Sequence, residues 1–225
     1  MYCAIIGDII DSRNIKMREE TQSKLCFVLD EINLKYSSDI AANFVITIGD
    51  EFQGLLKNPQ RLLQIIDYVK INLYPVKFRF GIGIGELTTK VNPKMALGAD
   101  GPVYYSAREA IGQLKENQNK NGKSSKDTML IIHSDNIETA ITISMINSLW
   151  SAIYLIEKKW TVKQRVAINE MLISKQTQRE TAEALAISQS SLQRRLAAGE
   201  YTTYNDIKKA IRMATLKIWE GQNAG

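Results

Sequence analysis

The hydrophobic pattern changes near residue 134, and that change limits the folds open to this chain. Before it, short apolar runs alternate with stretches of helical periodicity, such as Leu25, Val28, Leu29 and Ile32. The order is β-α-β-β-α-β, followed by a helix and a fifth strand, which predicts an α+β domain of the ferredoxin-like type with an antiparallel sheet. Predicted strands cover 2–6, 43–48, 52–56, 77–84 and 128–132, and predicted helices cover 16–36, a stretch starting at Pro59, and 103–117.

After residue 134 the pattern is helical throughout. An apolar stretch at 136–158 predicts one long helix, capped by Ser134-Asp135. We expect a sheet domain over 1–134, this connector helix over 135–159, and an all-α domain over 160–225. No apolar run approaches about 18 residues, and the N-terminus lacks a basic region, so we expect neither a transmembrane helix nor a signal peptide.

The positive charge of the chain lies in its last segment. Residues 158–225 hold 12 Lys and Arg against 6 Asp and Glu, whereas residues 1–157 hold 17 against 18. A neutral module followed by a basic one is typical of proteins that bind a polyanion through one part. The last segment is therefore predicted to be a polyanion-binding module attached to a neutral one.

The basic segment carries the start signals of several short helices. Thr161–Gln164 and Thr177–Glu180 each fit a capping box, Ser188 fits an N-cap, and Gly199 fits a helix end. The stretch QTQRETAEALAISQSSLQRRLAAGEY resembles the helix-turn-helix of sigma-factor region 4, although the usual turn glycine is absent.

That spacing predicts a recognition helix over 189–198. Leu192 and Leu196 would face the core of the module. Gln and Arg can contact adenine and guanine edges with two hydrogen bonds. The alternative is a solvated basic bundle that serves dimerisation. The predicted base-facing residues are Gln189, Ser190, Gln193 and Arg194, and the predicted phosphate-facing residues are Lys175, Arg179 and Arg195.

Three acids of the first domain fall at strand ends. Asp8 follows the first strand, and Asp50 and Glu51 lie at the predicted hairpin turn. In a ferredoxin-like sheet the first strand lies beside the hairpin, so these carboxylates could converge on Mg²⁺ and, through it, on a nucleotide. Alternatively, Asp8 caps a loop and Asp50 is an ordinary turn residue.

Several motifs resemble those of nucleotide cyclases. The sequence Ile48-Gly-Asp-Glu-Phe52 is similar to the Gly-Asp hairpin of diguanylate and class III cyclases, and Gly7-Asp8-Ile9 to their first metal-binding aspartate. The stretches from Phe80 to Glu86 and from Gly101 to Arg108 are similar to further cyclase segments. This resemblance implies a cyclase or palm-type fold in which Asp8 and Asp50 hold two metals and Arg108 has a catalytic role toward phosphates. The glycines Gly81, Gly83 and Gly85 either contact the cofactor or mark close backbone approach or a strand bulge.

The whole chain resembles the SatD family of bacterial proteins, through AIIGDIIDSR, FVITIGDEFQGLL, RFGIGIGEL and ADGPVYYSAREAI. This resemblance implies a cytoplasmic protein. We expect a homodimeric regulator, with no membrane contact, that pairs a nucleoside triphosphate and Mg²⁺ site with a DNA-binding helix-turn-helix. The alternatives are an active nucleotidyl cyclase or polymerase-like enzyme and a non-catalytic adaptor with a basic tail.

Overall fold

The computed structural model describes residues 1–14, 17–47, 49–96, 98, 100–121, 125–174 and 176–223. Within these residues the fold is mixed α+β, with one five-stranded, mostly antiparallel sheet and eight α-helices. The strands are β1 (Tyr2–Ile9), β2 (Ile40–Ile46), β3 (Glu51–Leu56), β4 (Phe78–Gly85) and β5 (Thr128–Ile131). The helices are α1 (Arg18–Lys35), α2 (Leu62–Asn72), α3 (Pro102–Asn121), α4 (Ile137–Lys159), α5 (Val162–Ile173), α6 (Gln178–Ala184), α7 (Gln189–Ala198) and α8 (Tyr201–Asn223).

The predicted order of strands and helices is confirmed, with differences at the ends of elements. Helix α3 continues to Asn121, beyond its predicted end near residue 117, since its last turns are polar but contain neither glycine nor proline. The predicted cap of α4 is wrong. Asn136 caps this helix by accepting hydrogen bonds from the amides of Glu138 and Thr139, and Ser134 accepts from the Asn136 amide.

The sheet has the strand order β2-β3-β1-β4-β5, and only β4 and β5 are parallel among its pairs. One face carries four aromatic rings, Phe44, Phe52, Phe78 and Phe80, and packs in the core that also holds α1 and α2. Helix α3 covers the other face. Strand β1 is therefore buried on both sides, as its continuous apolar pattern requires.

The glycines of β4 allow α3 to lie directly on the sheet. A Cβ atom at Gly83 would be 2.0 Å from the Val103 carbonyl oxygen, and one at Gly81 would be 2.2 Å from that of Ala107. A Cβ at Gly85 would lie 3.1 Å from the Val103 nitrogen. The predicted close backbone approach is thus confirmed, whereas a role of these glycines toward a cofactor stays a prediction.

The C-terminal helices divide between two cores. Trp150 of α4 and Tyr204 and Ile211 of α8 belong to the same buried cluster as the aromatic face of the sheet. Helices α5, α6 and α7 form a smaller cluster of their own, around Ile168 and Leu192. Packing therefore groups α8 with α4 and the sheet, and the predicted domain boundaries stay predictions.

Helix α4 is the one described helix that is long and apolar enough to cross a membrane, with a mean hydropathy of 1.4 over its best window. Its inner side, through Ile146, Trp150 and Ile153, packs in the main core. Length and composition alone are weak indicators, because a helix that packs on a soluble core can have both.

Candidate functional site

A row of charged residues crosses the sheet at the end of β1. Asp8 on β1 lies directly opposite Glu51 on β3 and opposite Arg79 on β4. Directly opposite residues of antiparallel strands share a face of the sheet and lie within reach of each other. The structure thus brings two of the three predicted acids together, on the face that α3 covers.

Asp8 is buried, and cations hold both of its carboxylate oxygens. Its Oδ2 accepts from Arg79 Nη1 at 2.7 Å, and its Oδ1 lies 2.8 Å from Lys115 Nζ. Lys115 comes from α3, and Gln118, one turn further along α3, accepts a hydrogen bond from Arg79. Helix α3 therefore supplies part of the site as well as covering the sheet.

Glu51 and Arg108 complete this cluster. Burial raises the pKa of the half-buried Glu51 carboxyl, and the nearby Asp8 raises it further, while Lys115, Arg108 and a hydrogen bond from Thr47 lower it. Arg108, exposed on α3, is thus close enough to Glu51 to act on its charge. We call Asp8, Glu51, Arg79, Arg108 and Lys115 the sheet-end cluster; it contains two acidic and three basic side chains.

Asp50 does not join the sheet-end cluster. Its backbone carbonyl accepts from the Ile9 amide at 3.2 Å, which holds the hairpin turn against β1. The residue lines a small cavity beside α1, together with Arg18 and Gln22. The structure therefore brings Asp8 and Glu51 together but places Asp50 in a separate setting.

The sheet-end cluster fits a resident Mg²⁺ poorly. Mg²⁺ binds through one or more free carboxylates, but Arg79 and Lys115 already neutralise the two oxygens of Asp8. Within the described ranges, no group of three or more Asp, Glu, His or Cys side chains could hold a metal ion. With its excess of cations, the cluster instead suits an anion such as a phosphate.

Sequence reasoning missed Arg79 and Lys115. A weak signal was present for Lys115, which follows Arg108 by two helical turns on α3 and so shares its side of the helix. For Arg79 the signal was its place in an otherwise apolar strand, since a buried arginine needs a carboxylate partner.

A second candidate surface lies on the helices α6 and α7. Both predicted capping boxes are present, and Ser188 Oγ accepts from the Ser191 amide at 3.2 Å. Leu192 and Leu196 are buried as predicted. The four predicted base-facing residues are exposed together on α7: Gln189, Ser190, Gln193 and Arg194.

The predicted phosphate-facing residues differ in their surroundings. Arg179 is exposed and pairs with Glu183 at 3.2 Å, whereas Arg195 is half-buried. Lys175 lies outside the described residues.

The connection from α6 to α7 is tight although it lacks glycine. Ala186 adopts a positive φ of 51°, and the next amide, of Ile187, donates to the Ala182 carbonyl. At the far end of α7, Gly199 is the C-cap as predicted, but Glu200 takes the left-handed conformation, with φ 57°. A Cβ at Gly199 would lie 2.6 Å from the Cδ1 methyl of Ile168, so a larger residue there would have to displace that side chain.

A buried charged network, which the sequence did not reveal, joins the sheet to the C-terminal helices. Lys70 of α2 lies 2.7 Å from Asp127 and 3.0 Å from Glu157 of α4. Tyr204 of α8 donates to Glu157 at 2.8 Å. A neighbouring ion pair joins Lys208 of α8 to Asp67 of α2. These contacts link α2, α4 and α8 into one unit.

Comparisons with known proteins identify the family. A search of curated proteins found no match. One similar solved structure is the catalytic core of a rhodopsin-guanylyl cyclase with converted specificity in complex with ATPαS; identity is 19%, coverage is 49% of this chain and 71% of that one, and the TM-score is 0.37. The family model of the SatD family matches residues 2–214. The chain therefore belongs to the SatD family.

Proposed function

We propose that this protein is a DNA-binding regulator in which α6, the turn and α7 act as a helix-turn-helix. One observation carries the proposal: α7 exposes Gln189, Ser190, Gln193 and Arg194 together, while Leu192 and Leu196 anchor its other side. In a helix-turn-helix, residues near the start of the second helix contact base edges. The basic excess of the last segment supports the same partner.

The contacts divide into those that read bases and those that hold phosphates. Gln189, Gln193 and Arg194 can form paired hydrogen bonds with adenine or guanine in the major groove. Arg195 and Lys175 are proposed to contact the backbone, which fixes the register of the protein on DNA. Arg179 would exchange Glu183 for a phosphate, at small cost because exposed ion pairs are weak.

Selection from a random pool of duplex DNA tests this proposal. We expect the full chain to enrich a defined sequence. Gln193→Ala should relax the preference at one position of that sequence, since each good base contact contributes about 1–3 kcal/mol of discrimination. The control is Gln113→Ala, which removes the same side chain from an exposed site on α3. Recovery of unrelated sequences by the wild type would count against the proposal.

We further propose that the sheet-end cluster binds the phosphates of a nucleotide through Arg79, Arg108 and Lys115. The strand order β2-β3-β1-β4 supports a ferredoxin-like, cyclase-like sheet, whose strand ends present this cluster. Because cations already hold Asp8, the proposal does not require a resident metal.

Titration calorimetry with ATP and GTP, with and without Mg²⁺, tests nucleotide binding. We expect Lys115→Gln to weaken binding roughly tenfold or more, as for loss of a charge-assisted hydrogen bond. Lys94→Gln, at an exposed loop position, is the control. Absence of binding by both nucleotides in both conditions would reject this second proposal. The predicted homodimer and cytoplasmic location stay predictions. The alternative of an active nucleotidyl cyclase or polymerase-like enzyme is tested by incubation with all four nucleoside triphosphates and mass spectrometry of the products.

A further inference from the structure

A cavity of about 150 Å³ lies where the sheet meets α4 and α5. The loop 74–77 and Phe78, the first residue of β4, form one wall, and Tyr154, Glu157 and Lys158 of α4 form another. Arg165 of α5 completes the lining. The cavity is on the opposite side of the sheet from α3 and is therefore separate from the sheet-end cluster.

The acids in the lining already have partners within the protein. Asp127 and Glu157 share the ammonium of Lys70, and Glu157 also accepts from Tyr204. Neither acid is then free to hold a cationic ligand.

Three cations of the lining have no carboxylate partner within the described residues: Lys77, Lys158 and Arg165. Arg165 donates through Nη2 to the Glu157 carbonyl at 2.6 Å. Its Nε is buried, and no hydrogen-bond acceptor reaches it in the described parts of the chain. A buried donor without an acceptor costs free energy. A ligand that accepts a hydrogen bond from Arg165 Nε would therefore be favoured in this cavity.

The rest of the lining consists mainly of aromatic rings and aliphatic side chains. The Arg165 guanidinium lies 4.9 Å from the Tyr74 ring centre, and the Lys158 ammonium lies 5.9 Å from that of Tyr154. Val76 and Phe78 add aliphatic and aromatic surface. A cavity of about this volume accommodates a benzene-sized ring.

We propose that this cavity binds a small aromatic anion, with its ring against the tyrosines and its phosphate or carboxylate at Lys77, Lys158 and Arg165. The walls come from the sheet, α4 and α5, so such a ligand would contact both the sheet and the first helix of the C-terminal cluster. The site requires neither nucleotide at the sheet-end cluster nor DNA at α7.

Amide NMR shifts of the full chain, titrated with phenyl phosphate, benzoate and inorganic phosphate, test the proposal. We expect phenyl phosphate or benzoate to shift the amides of 76–78 and to bind at least several-fold more tightly than inorganic phosphate. Which of the two binds better identifies the anionic group. Arg165→Gln should weaken binding roughly tenfold or more, as for loss of a charge-assisted bond.

Because the Arg165 guanidinium also lies over the rings of Tyr74 and Trp160, Arg165→Gln could disturb the fold, and a second variant is needed. Lys77→Gln changes an exposed side chain at the mouth and should weaken binding about two- to fivefold. Lys163→Gln, which removes the same charge two residues before Arg165 but outside the lining, should leave it unchanged. No shifts at 76–78 with either aromatic anion, or equal weakening by all three variants, would overturn the proposal.

Discussion

Lys70→Met probes the network that joins α2, α4 and α8. Burial alone would lower the pKa of Lys70, but Asp127 and Glu157 raise it above its ordinary value, so this lysine is charged in the folded protein. Its side chain is 16% exposed, and those of Asp127 and Glu157 are 9% and 13% exposed. Methionine keeps most of the length and the apolar stem of lysine but leaves two buried carboxylates without their shared cation.

The expected loss in the free energy of unfolding is about 3–5 kcal/mol, the usual cost of removing one partner of a buried ion pair. Urea denaturation followed by circular dichroism measures it. The triple variant Lys70→Met/Asp127→Asn/Glu157→Gln should recover part of the loss, because no charge is then left unpaired. Arg179→Gln, which breaks an exposed pair, should cost less than about 1 kcal/mol. A loss below about 1 kcal/mol in Lys70→Met would refute the reasoning.

Three further predictions follow from local geometry and charge. Gly83→Ala should destabilise the protein by about 1–3 kcal/mol, because the new Cβ would push α3 off the sheet. Gly112→Ala adds a Cβ that meets nothing within 4 Å, so it should stabilise α3 by up to about 1 kcal/mol. Thermal unfolding measures both changes. Ala186→Gly should raise the free energy of unfolding in urea by a few tenths to about 1 kcal/mol, because glycine relieves the positive φ at this position. Ala197→Gly, inside α7, should lower the free energy of unfolding. A loss of stability in Ala186→Gly together with a gain in Ala197→Gly would contradict the assignment of backbone strain to Ala186. Burial raises the pKa of Glu51, so its stabilising contribution is complete below its ordinary value of 4.5 and is lost as pH rises through the raised value. Relative to the wild type, Glu51→Gln should therefore gain stability as pH rises above 4.5 and through the raised pKa of Glu51, and an unchanged difference in melting temperature would exclude this cause.

The sequence allowed prediction of features set by neighbouring residues. The capping boxes at Thr161 and Thr177 need only a partner three residues away, and the spacing of Leu192 and Leu196 determines which side of α7 is buried. Where several adjacent residues could perform one role, the prediction failed: Ser134, Asp135 and Asn136 can all cap a helix, and the structure uses the last.

Features set by distant residues could not be predicted. Asp8 was identified as a candidate ligand, but its partners Arg79 and Lys115 depend on strand register and on how α3 lies across the sheet. In the network around Lys70, the pair Lys70–Glu157 is 87 positions apart in sequence, and the neighbouring pair Lys208–Asp67 is 141 positions apart. Each of these residues alone looks like an ordinary surface charge. Asp50 and Glu51 are adjacent in sequence, yet the hairpin turn gives them different surroundings.

The central proposal is that α7 reads DNA, and fluorescence anisotropy on a selected duplex tests it most directly. Between about 50 and 200 mM salt, affinity should fall steeply, as expected when several phosphates are neutralised. At a fixed salt concentration, Arg194→Ala should weaken binding to the selected duplex by roughly 10- to 100-fold, and weaken binding to a scrambled duplex much less. Arg212→Ala, which removes the same charge from an exposed position on α8, should have little effect on the ratio of the two affinities. Equal affinity of the wild type for the two duplexes, or equal losses for both arginine variants, would contradict the account.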